Sequence, residues 1–129
     1  MLVASFSMVA YAAGRGDRVG FWFTIEEKGV GHTSDPAEKE LVVSNAYVSI
    51  DKNSSSSGGK ATTAFIVVKS TGHQLSNGEI VVTGTGTKDI PYNNTGENYL
   101  GATCIRANAA GLIHVLATTV QGTFYPDGR

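Results

Sequence analysis

Apolar and polar positions alternate along most of this chain, and a period of two residues predicts β-strands. The alternation is clearest in residues 19–25. Phe21, Phe23 and Ile25 share one face of this segment, and Trp22 lies on the opposite face. A strand of this kind buries one side and exposes the other. The pattern therefore predicts that Trp22 points outward if the two phenylalanines lie in the core.

Similar segments recur along the chain at the spacing of about 8–12 residues that is typical of a β-sandwich or barrel. Turn-forming Gly, Ser, Asn and Asp are frequent between them. We therefore expect an all-β fold of about eight strands in one domain over residues 1–129. After the first segments, the expected strands are residues 41–50 with a bulge near residues 44–45, then 60–69, 79–85, 102–107, 112–119 and 123–125.

Three stretches break the alternation and are expected to be loops. Residues 26–40 are polar, with one short helical turn at 34–38 in which Pro36 takes the first helical position. Residues 53–59 are a low-complexity run of Ser and Gly. Residues 85–101 are polar and irregular.

The end of the chain, residues 105–125, has the pattern of a β-meander. A first strand runs into a tight turn at residues 108–111, an alternating strand follows, and Gly122 introduces a third strand. This pattern contains no helix and no cluster of reactive side chains.

Residues 2–12 form an apolar alternating segment at the start of the chain. Their even-numbered positions, which include Leu2, Phe6 and Met8, are all apolar. The period favours a strand that forms a hairpin with the next one. Because a lone hairpin is only marginally stable in water, this N-terminal arm (residues 1–25) is expected to add to a sheet, either its own or that of a neighbouring copy.

The first residues also resemble a truncated secretion signal. They lack a positive n-region, and their apolar run is short. The run is too short to cross a bilayer. We therefore expect no membrane insertion and treat the segment as part of the mature protein, which favours a component assembled inside a cell.

Charge and cysteine content narrow the function classes. Ten basic residues face eleven acidic ones, for a net charge of −1, and no basic stripe is present. The chain therefore lacks the basic surface that binding to a nucleic-acid backbone requires. Cys104 is the single cysteine, so an internal disulfide is impossible, and we expect it to be a small buried apolar residue.

No residue pattern indicates an active site, a metal site or a cofactor. His32, His73 and His114 are far apart, and no metal-binding spacing includes them. Residues 15–17 spell Arg-Gly-Asp, which ordinary turn chemistry explains as well as an adhesive motif does. We therefore expect the protein not to be an enzyme.

Three pieces of the chain carry a family resemblance. Residues 60–82 match a threonine-rich strand, a Gly-containing turn and the next strand, and residues 107–119 match a hairpin whose turn ends in Gly. Residues 121–125 match a final strand. Together, residues 48–125 resemble a bacterial immunoglobulin-like domain of the invasin and intimin kind, although Asn108 stands where the family has Asp.

This resemblance implies an immunoglobulin-like β-sandwich with its core at residues 41–125. Family members occur in cell-surface adhesins and in phage head and tail proteins, so the resemblance also implies a display or structural module without an active site. It names no cofactor.

Together these observations predict a structural subunit of a phage virion, located in the virion as a decoration, capsid or tail protein. Its partners would be copies of itself and other structural proteins, with Leu2, Phe6, Met8 and Trp22 as candidate subunit contacts. An alternative is a cell-surface or extracellular filament or adhesin subunit assembled by strand exchange. A third possibility is a carbohydrate-binding module that binds a host surface glycan, which requires Trp22, Tyr92 or Tyr99 to be exposed together.

Overall fold

A computed structural model describes residues 16–26, 31–109 and 117–128 of the chain. Nine strands and one short helix lie within these ranges. In chain order they are β1 (Val19–Ile25), β2 (His32–Thr33), β3 (Ala37–Lys39), β4 (Asn45–Ser55), β5 (Thr62–Lys69), β6 (Ile80–Thr83), β7 (Gly86–Pro91), α1 (Asn94–Asn98), β8 (Gly101–Ala109) and β9 (Thr118–Tyr125).

The strands form two antiparallel sheets, which confirms the predicted all-β sandwich. The first sheet has the order β1-β9-β4-β7 and the second has the order β2-β8-β5-β6, with β3 also paired to β8. The pairs are nested: β1 pairs with β9, β2 and β3 with β8, β4 with β7, and β5 with β6. A long hairpin rolled into two sheets gives this order, which is the order of a jelly roll.

The strand order departs from the immunoglobulin order in one respect. In an immunoglobulin domain the last strand lies beside the strand that precedes it in sequence. Here β9 lies between β1 and β4, in the opposite sheet from β8. The expectation therefore holds for the two packed antiparallel sheets, whereas the topology is that of a jelly roll.

The meander expected over residues 105–125 is wrong for the same reason. Its first strand belongs to β8 and its last to β9, and these strands lie in different sheets. Asn108 continues β8 instead of opening a turn, and β9 runs without a break through Gly122. Residues 110–116, which include the rest of the predicted turn, lie outside the described residues.

The core lies between the two sheets and follows the predicted alternation. Phe21, Phe23 and Ile25 of β1 are buried in it, as expected. The Phe21 ring stacks on Phe23 at 5.2 Å between centroids and meets the edge of Phe65 at 6.1 Å. Phe124 of β9 is fully buried beside them. Because the β1 side chains reach across to β5, the first sheet is held against the second by aromatic contacts.

The segment at residues 26–40 contains strands that the sequence did not predict. The helical turn expected at residues 34–38 is wrong, because Ala37–Lys39 forms β3 against β8. The Thr103 hydroxyl donates to the Ala37 carbonyl at 2.8 Å and helps to hold this pairing. A capping pattern around Pro36 was outweighed by strand pairing with a distant part of the chain.

Strand β4 begins later and ends later than predicted. The register shift lies between Ile50 and Lys52, so the bulge expected near residues 44–45 is wrong. The extra residue reverses the alternation, and Asn53 therefore faces inward and is buried. Its side-chain amide donates to the carbonyls of Val82 and Gly84 at 3.2 and 3.1 Å. The start of the predicted serine loop is therefore part of the strand.

The irregular stretch expected at residues 85–101 contains β7 and helix α1. Asn93 caps α1, and its side chain accepts a hydrogen bond from the Gly96 amide at 2.7 Å. Gly96 is buried, and a Cβ at this position would collide with the Leu75 carbonyl. The helix is therefore fixed closely against the loop that precedes β6.

Candidate functional site

The edge of the first sheet at β1 is the most distinctive surface of the described residues. β1 pairs with β9 along all seven of its residues, and no other described strand lies on its opposite side. Its sequence, VGFWFTI, contains no charged residue and no proline. A long uncharged edge is a template for pairing with another strand.

The three other sheet edges have features that discourage such pairing. At the opposite edge of the same sheet, β7 ends at Pro91 and carries Lys88 and Asp89. Lys88 is in register with the buried Val48, which places a charge on the inward face of that edge. In the second sheet, β2 and β3 have two and three residues, and β6 has four. Charges, prolines and short strands all protect edges, so β1 has the least protective sequence among the edge strands of the described residues.

Trp22 lies at the centre of β1 and faces away from the core. It is 68% exposed, the largest exposure among the large apolar side chains described. This orientation was predicted from the alternation with Phe21 and Phe23. An exposed tryptophan marks a contact surface more often than other residue types do.

The outward positions of β1 and β9 form a continuous uncharged surface around Trp22. Gln121 of β9 is directly opposite Trp22, and Gly20 is opposite Thr123. Farther along β9, the ring of Tyr125 lies 5.6 Å from that of Tyr47 on β4. The outward positions are Gly20, Trp22 and Thr24 on β1, and Thr119, Gln121, Thr123 and Tyr125 on β9.

The other three candidate subunit contacts cannot be placed. Leu2, Phe6 and Met8 lie outside the described residues, as does the predicted arm strand of residues 2–12. The described part of the arm, from Gly16 onward, joins the sheet of its own chain through β1.

The aromatic platform expected for glycan binding is not formed by the residues named for it. Tyr92 is buried, and its hydroxyl donates to the Pro126 carbonyl at 2.6 Å. Tyr99 is half-buried, and its hydroxyl donates to the Ala102 carbonyl at 3.2 Å. Tyr92 fails because the strand of residues 86–91, which the sequence did not predict, directs it into the core.

A buried lysine is the most unusual polar feature of the fold. Lys39 is 1% exposed, and its ammonium group donates to the carbonyls of Leu41, Glu97 and Tyr99, the last two at 2.9 and 3.0 Å. The ammonium also lies 5.0 Å from the centre of the Tyr92 ring. Burial lowers the pKa of Lys39, and the negative charges of Asp127 and Glu97 act in the opposite direction.

Asp127 holds the same region together from the end of the chain. Its carboxylate is fully buried and accepts hydrogen bonds from the backbone amides of Glu40 at 3.0 Å and Leu41 at 2.9 Å. Sequence analysis placed Lys39 in the polar loop of residues 26–40 and gave no role to Asp127, because a charged residue gives no local sign of burial. The two side chains connect the end of β3, helix α1 and the chain beyond β9.

This cluster has the character of a structural support. The three donors of the Lys39 ammonium each have a carbonyl acceptor, and among the described residues no buried side-chain nitrogen or oxygen lacks a hydrogen-bond partner. An open depression of about 560 Å³ lies beside it, and its lining includes Asp89, Glu97 and Asp127. Within the ranges described, no group of three or more His, Cys, Asp or Glu could hold a metal ion.

The other residues considered for chemistry are dispersed. His32 is half-buried, with its ring 6.0 Å from that of Phe23, His73 is exposed, and His114 lies outside the described residues. Cys104 is buried as expected, and burial raises the pKa of its thiol.

The Asp of the Arg-Gly-Asp sequence has a structural role. One carboxylate oxygen of Asp17 accepts a hydrogen bond from the Arg18 amide at 2.9 Å, and the other accepts one from the Glu38 amide at 3.0 Å. The second of these bonds connects the segment before β1 to β3.

Comparisons with protein-family models, curated proteins and solved structures find no match to this chain. The resemblance of residues 48–125 to immunoglobulin-like domains therefore stays a prediction from sequence. In the described part of the chain, no helix has the length and apolar character needed to cross a membrane.

Proposed function

We propose that this protein is a non-enzymatic structural subunit of a multi-copy assembly, specifically a decoration, capsid or tail protein of a phage virion. The observation that supports this most strongly is the uncharged edge of β1 with the exposed Trp22 at its centre. Jelly rolls are frequent in viral capsid proteins. Because one fold hosts many functions, the virion is an inference by analogy, whereas the assembly role rests on the edge itself.

Assembly would proceed by strand addition at β1. An added strand forms main-chain hydrogen bonds to the edge, each contributing about 0.5–1.5 kcal/mol. The apolar N-terminal segment of a sister copy, residues 1–13, would approach the same region of the sheet. Its alternating pattern suits a strand with one buried face.

A subunit of a cell-surface or extracellular filament is the second candidate, because the same edge would support it. The virion subunit and the filament subunit differ in the assembly that they form, which is closed in a virion and open-ended in a filament. A glycan-binding module is a third candidate. Trp22, Tyr47 and Tyr125 favour it, because they lie on the outer face of the same sheet.

Electron microscopy and sedimentation velocity of the purified full chain test the proposal. We expect closed particles or defined oligomers that grow with protein concentration, and filaments would favour the second candidate. Deleting residues 1–13 should abolish assembly. Substituting Thr87→Lys on the protected edge β7 provides a control that should assemble normally. A chain that stays monomeric at every concentration would exclude an assembly subunit, and normal assembly of the deletion variant would exclude the N-terminal segment as the added strand.

A further inference from the structure

We propose that Asn77 is a site of spontaneous covalent modification, at which the side-chain amide is lost as ammonia and aspartate and isoaspartate are formed. Asn77 directly precedes Gly78 in the connection between β5 and β6. The reaction consumes water and needs no enzyme and no cofactor. The inference does not depend on the proposed assembly role, because β5 and β6 lie in the second sheet and β1 lies in the first.

The reaction passes through a five-membered ring. The backbone nitrogen of Gly78 attacks the side-chain carbonyl carbon of Asn77, a new C–N bond forms, and the proton of the Gly78 amide leaves with the side-chain nitrogen as ammonia. Water then adds to one of the two ring carbonyls and breaks its bond to the Gly78 nitrogen, which regains a proton. Opening at the side-chain carbonyl gives aspartate, and opening at the backbone carbonyl gives isoaspartate, in which the main chain runs through the former side chain.

The surroundings of Gly78 leave the attacking nitrogen accessible. Gly78 is exposed, and its φ of +79° lies in the left-handed region that favours glycine. A Cβ placed on this residue would have no atom within 4 Å. Within the described part of the chain, the Gly78 amide donates no hydrogen bond. Neither a neighbouring side chain nor a hydrogen bond to these residues therefore shields the nitrogen.

The side chain of Asn77 is equally accessible, although its backbone is held. The Asn77 amide donates to the Pro91 carbonyl at 2.8 Å, and the preceding Ser76 is buried, with its hydroxyl accepting from the Val67 amide at 3.0 Å. The Asn77 side chain is exposed and makes no hydrogen bond to another described residue. The groups that react therefore lie on the solvent side of an anchored turn.

The other asparagines lack this combination of features. Asn77 is the one asparagine in the chain that glycine follows, and a side chain on the following residue hinders the attacking nitrogen. Asn53 is buried, and its amide donates to two backbone carbonyls. The side chain of Asn93 caps α1, and that of Asn98 donates to the Asn94 carbonyl at 3.0 Å. We therefore expect Asn77 to react first.

Asp127 and Gly128 provide a comparison within the same chain. An aspartate followed by glycine forms the same ring with loss of water, and Gly128 has a φ of +78°. The Asp127 carboxylate is fully buried, however, and both of its oxygens accept hydrogen bonds from backbone amides. The Gly128 amide also donates to the Tyr125 carbonyl at 3.3 Å. The fold therefore protects Asp127 and leaves Asn77 open, although glycine follows both residues.

The products should be tolerated by the fold. Either product adds one carboxylate beside the exposed Glu79 and takes the formal net charge from −1 to −2. Isoaspartate also adds one carbon to the main chain between the anchored Ser76 and the start of β6, where Ile80 is in register with Phe65. Because the extra length falls at the exposed residues 77–79, we expect the modified and native chains to unfold at the same urea concentration.

Peptide mapping by mass spectrometry tests both the site and the role of the fold. The full chain is incubated in neutral buffer, folded and unfolded in guanidinium chloride, and isoaspartate is detected with an isoaspartyl methyltransferase. We expect Asn77 to be converted in both samples at rates within severalfold of each other. Isoaspartate at Asp127 should form at least about tenfold more slowly in the folded chain, because its hydrogen bonds must break first.

Two variants check the chemistry. Asn77→Gln should abolish the conversion, because its longer side chain does not form the five-membered ring. Gly78→Asn should slow it severalfold, because a side chain now hinders the nitrogen, while asparagine adopts the left-handed backbone more readily than most residues. Circular dichroism checks that each variant is folded. Conversion of another asparagine before Asn77, or strong protection of Asn77 by folding, would overturn the proposal. Sedimentation of the native chain tests the assembly role separately.

Discussion

The substitution Lys39→Met gives a direct test of how the end of the sandwich is held. The lysine ammonium is buried and donates to three backbone carbonyls, one on the segment after β3 and two in and after helix α1. Methionine has a similar length and no donor, so the three acceptors lose their partner at once. A buried polar group left unpaired costs about 1–3 kcal/mol.

The removal of a buried charge partly offsets this loss, because its desolvation penalty disappears. We therefore expect the free energy of unfolding to fall by about 3 kcal/mol, near the lower limit for three carbonyls. For a chain of this length the melting temperature should fall by about 10 °C. Urea unfolding followed by circular dichroism measures the change. Lys52→Met, at an exposed position on β4, is the control and should change stability by less than about 0.5 kcal/mol. If Lys39→Met unfolds at the same urea concentration as the control, the ammonium does not support this region.

Three further predictions concern other parts of the fold. Unfolded tyrosine ionises near pH 10, and burial raises the pKa of Tyr92. The stability that the neutral form of Tyr92 contributes should therefore be lost as the pH rises above 10. Urea titrations should show a smaller alkaline loss of stability for Tyr92→Phe than for the native chain, and an equal loss would contradict this prediction. A Cβ at Gly122 would collide with the backbone of β4, so Gly122→Ala should destabilise the fold by about 2–3 kcal/mol in urea. A Cβ at Gly20 would have its nearest atom at an ordinary contact distance of 3.8 Å, so Gly20→Ala should not cause such a loss. Equal effects of the two substitutions would refute the packing account. Trp22→Ser should leave the unfolding free energy within about 0.5 kcal/mol of the native value and weaken self-association measured by light scattering, and a large loss of stability would instead make Trp22 part of the core.

Local alternation predicted the parts of the fold that depend on one strand at a time. The inward positions of β1 and the outward position of Trp22 followed from sequence, because side chains on a strand alternate whatever it pairs with. The pairing of β1 with β9 did not follow. It joins segments about a hundred residues apart, and a jelly roll and an immunoglobulin fold have similar local patterns.

The missed polar residues show where local alternation fails. Asn53 faces the core because the bulge after Ile50 reverses the alternation, and a bulge adds one residue without a strong sequence signal. Lys39 is buried because the carbonyls of Glu97 and Tyr99, 58 and 60 residues away in the sequence, accept from its ammonium together with the carbonyl of Leu41. The environments of Asn53 and Lys39 therefore do not follow from the sequence pattern around each residue.

The central claim is that β1 is the edge through which copies of this protein associate. Its most direct test is sedimentation equilibrium of the full chain and of two matched variants, Thr24→Lys on β1 and Thr87→Lys on β7. Both residues are exposed threonines at opposite edges of one sheet, so each substitution adds the same charge to an edge strand. Dissociation of Thr24→Lys into monomers, with Thr87→Lys associating like the native chain, is the predicted result. Equal association of all three proteins would contradict the claim.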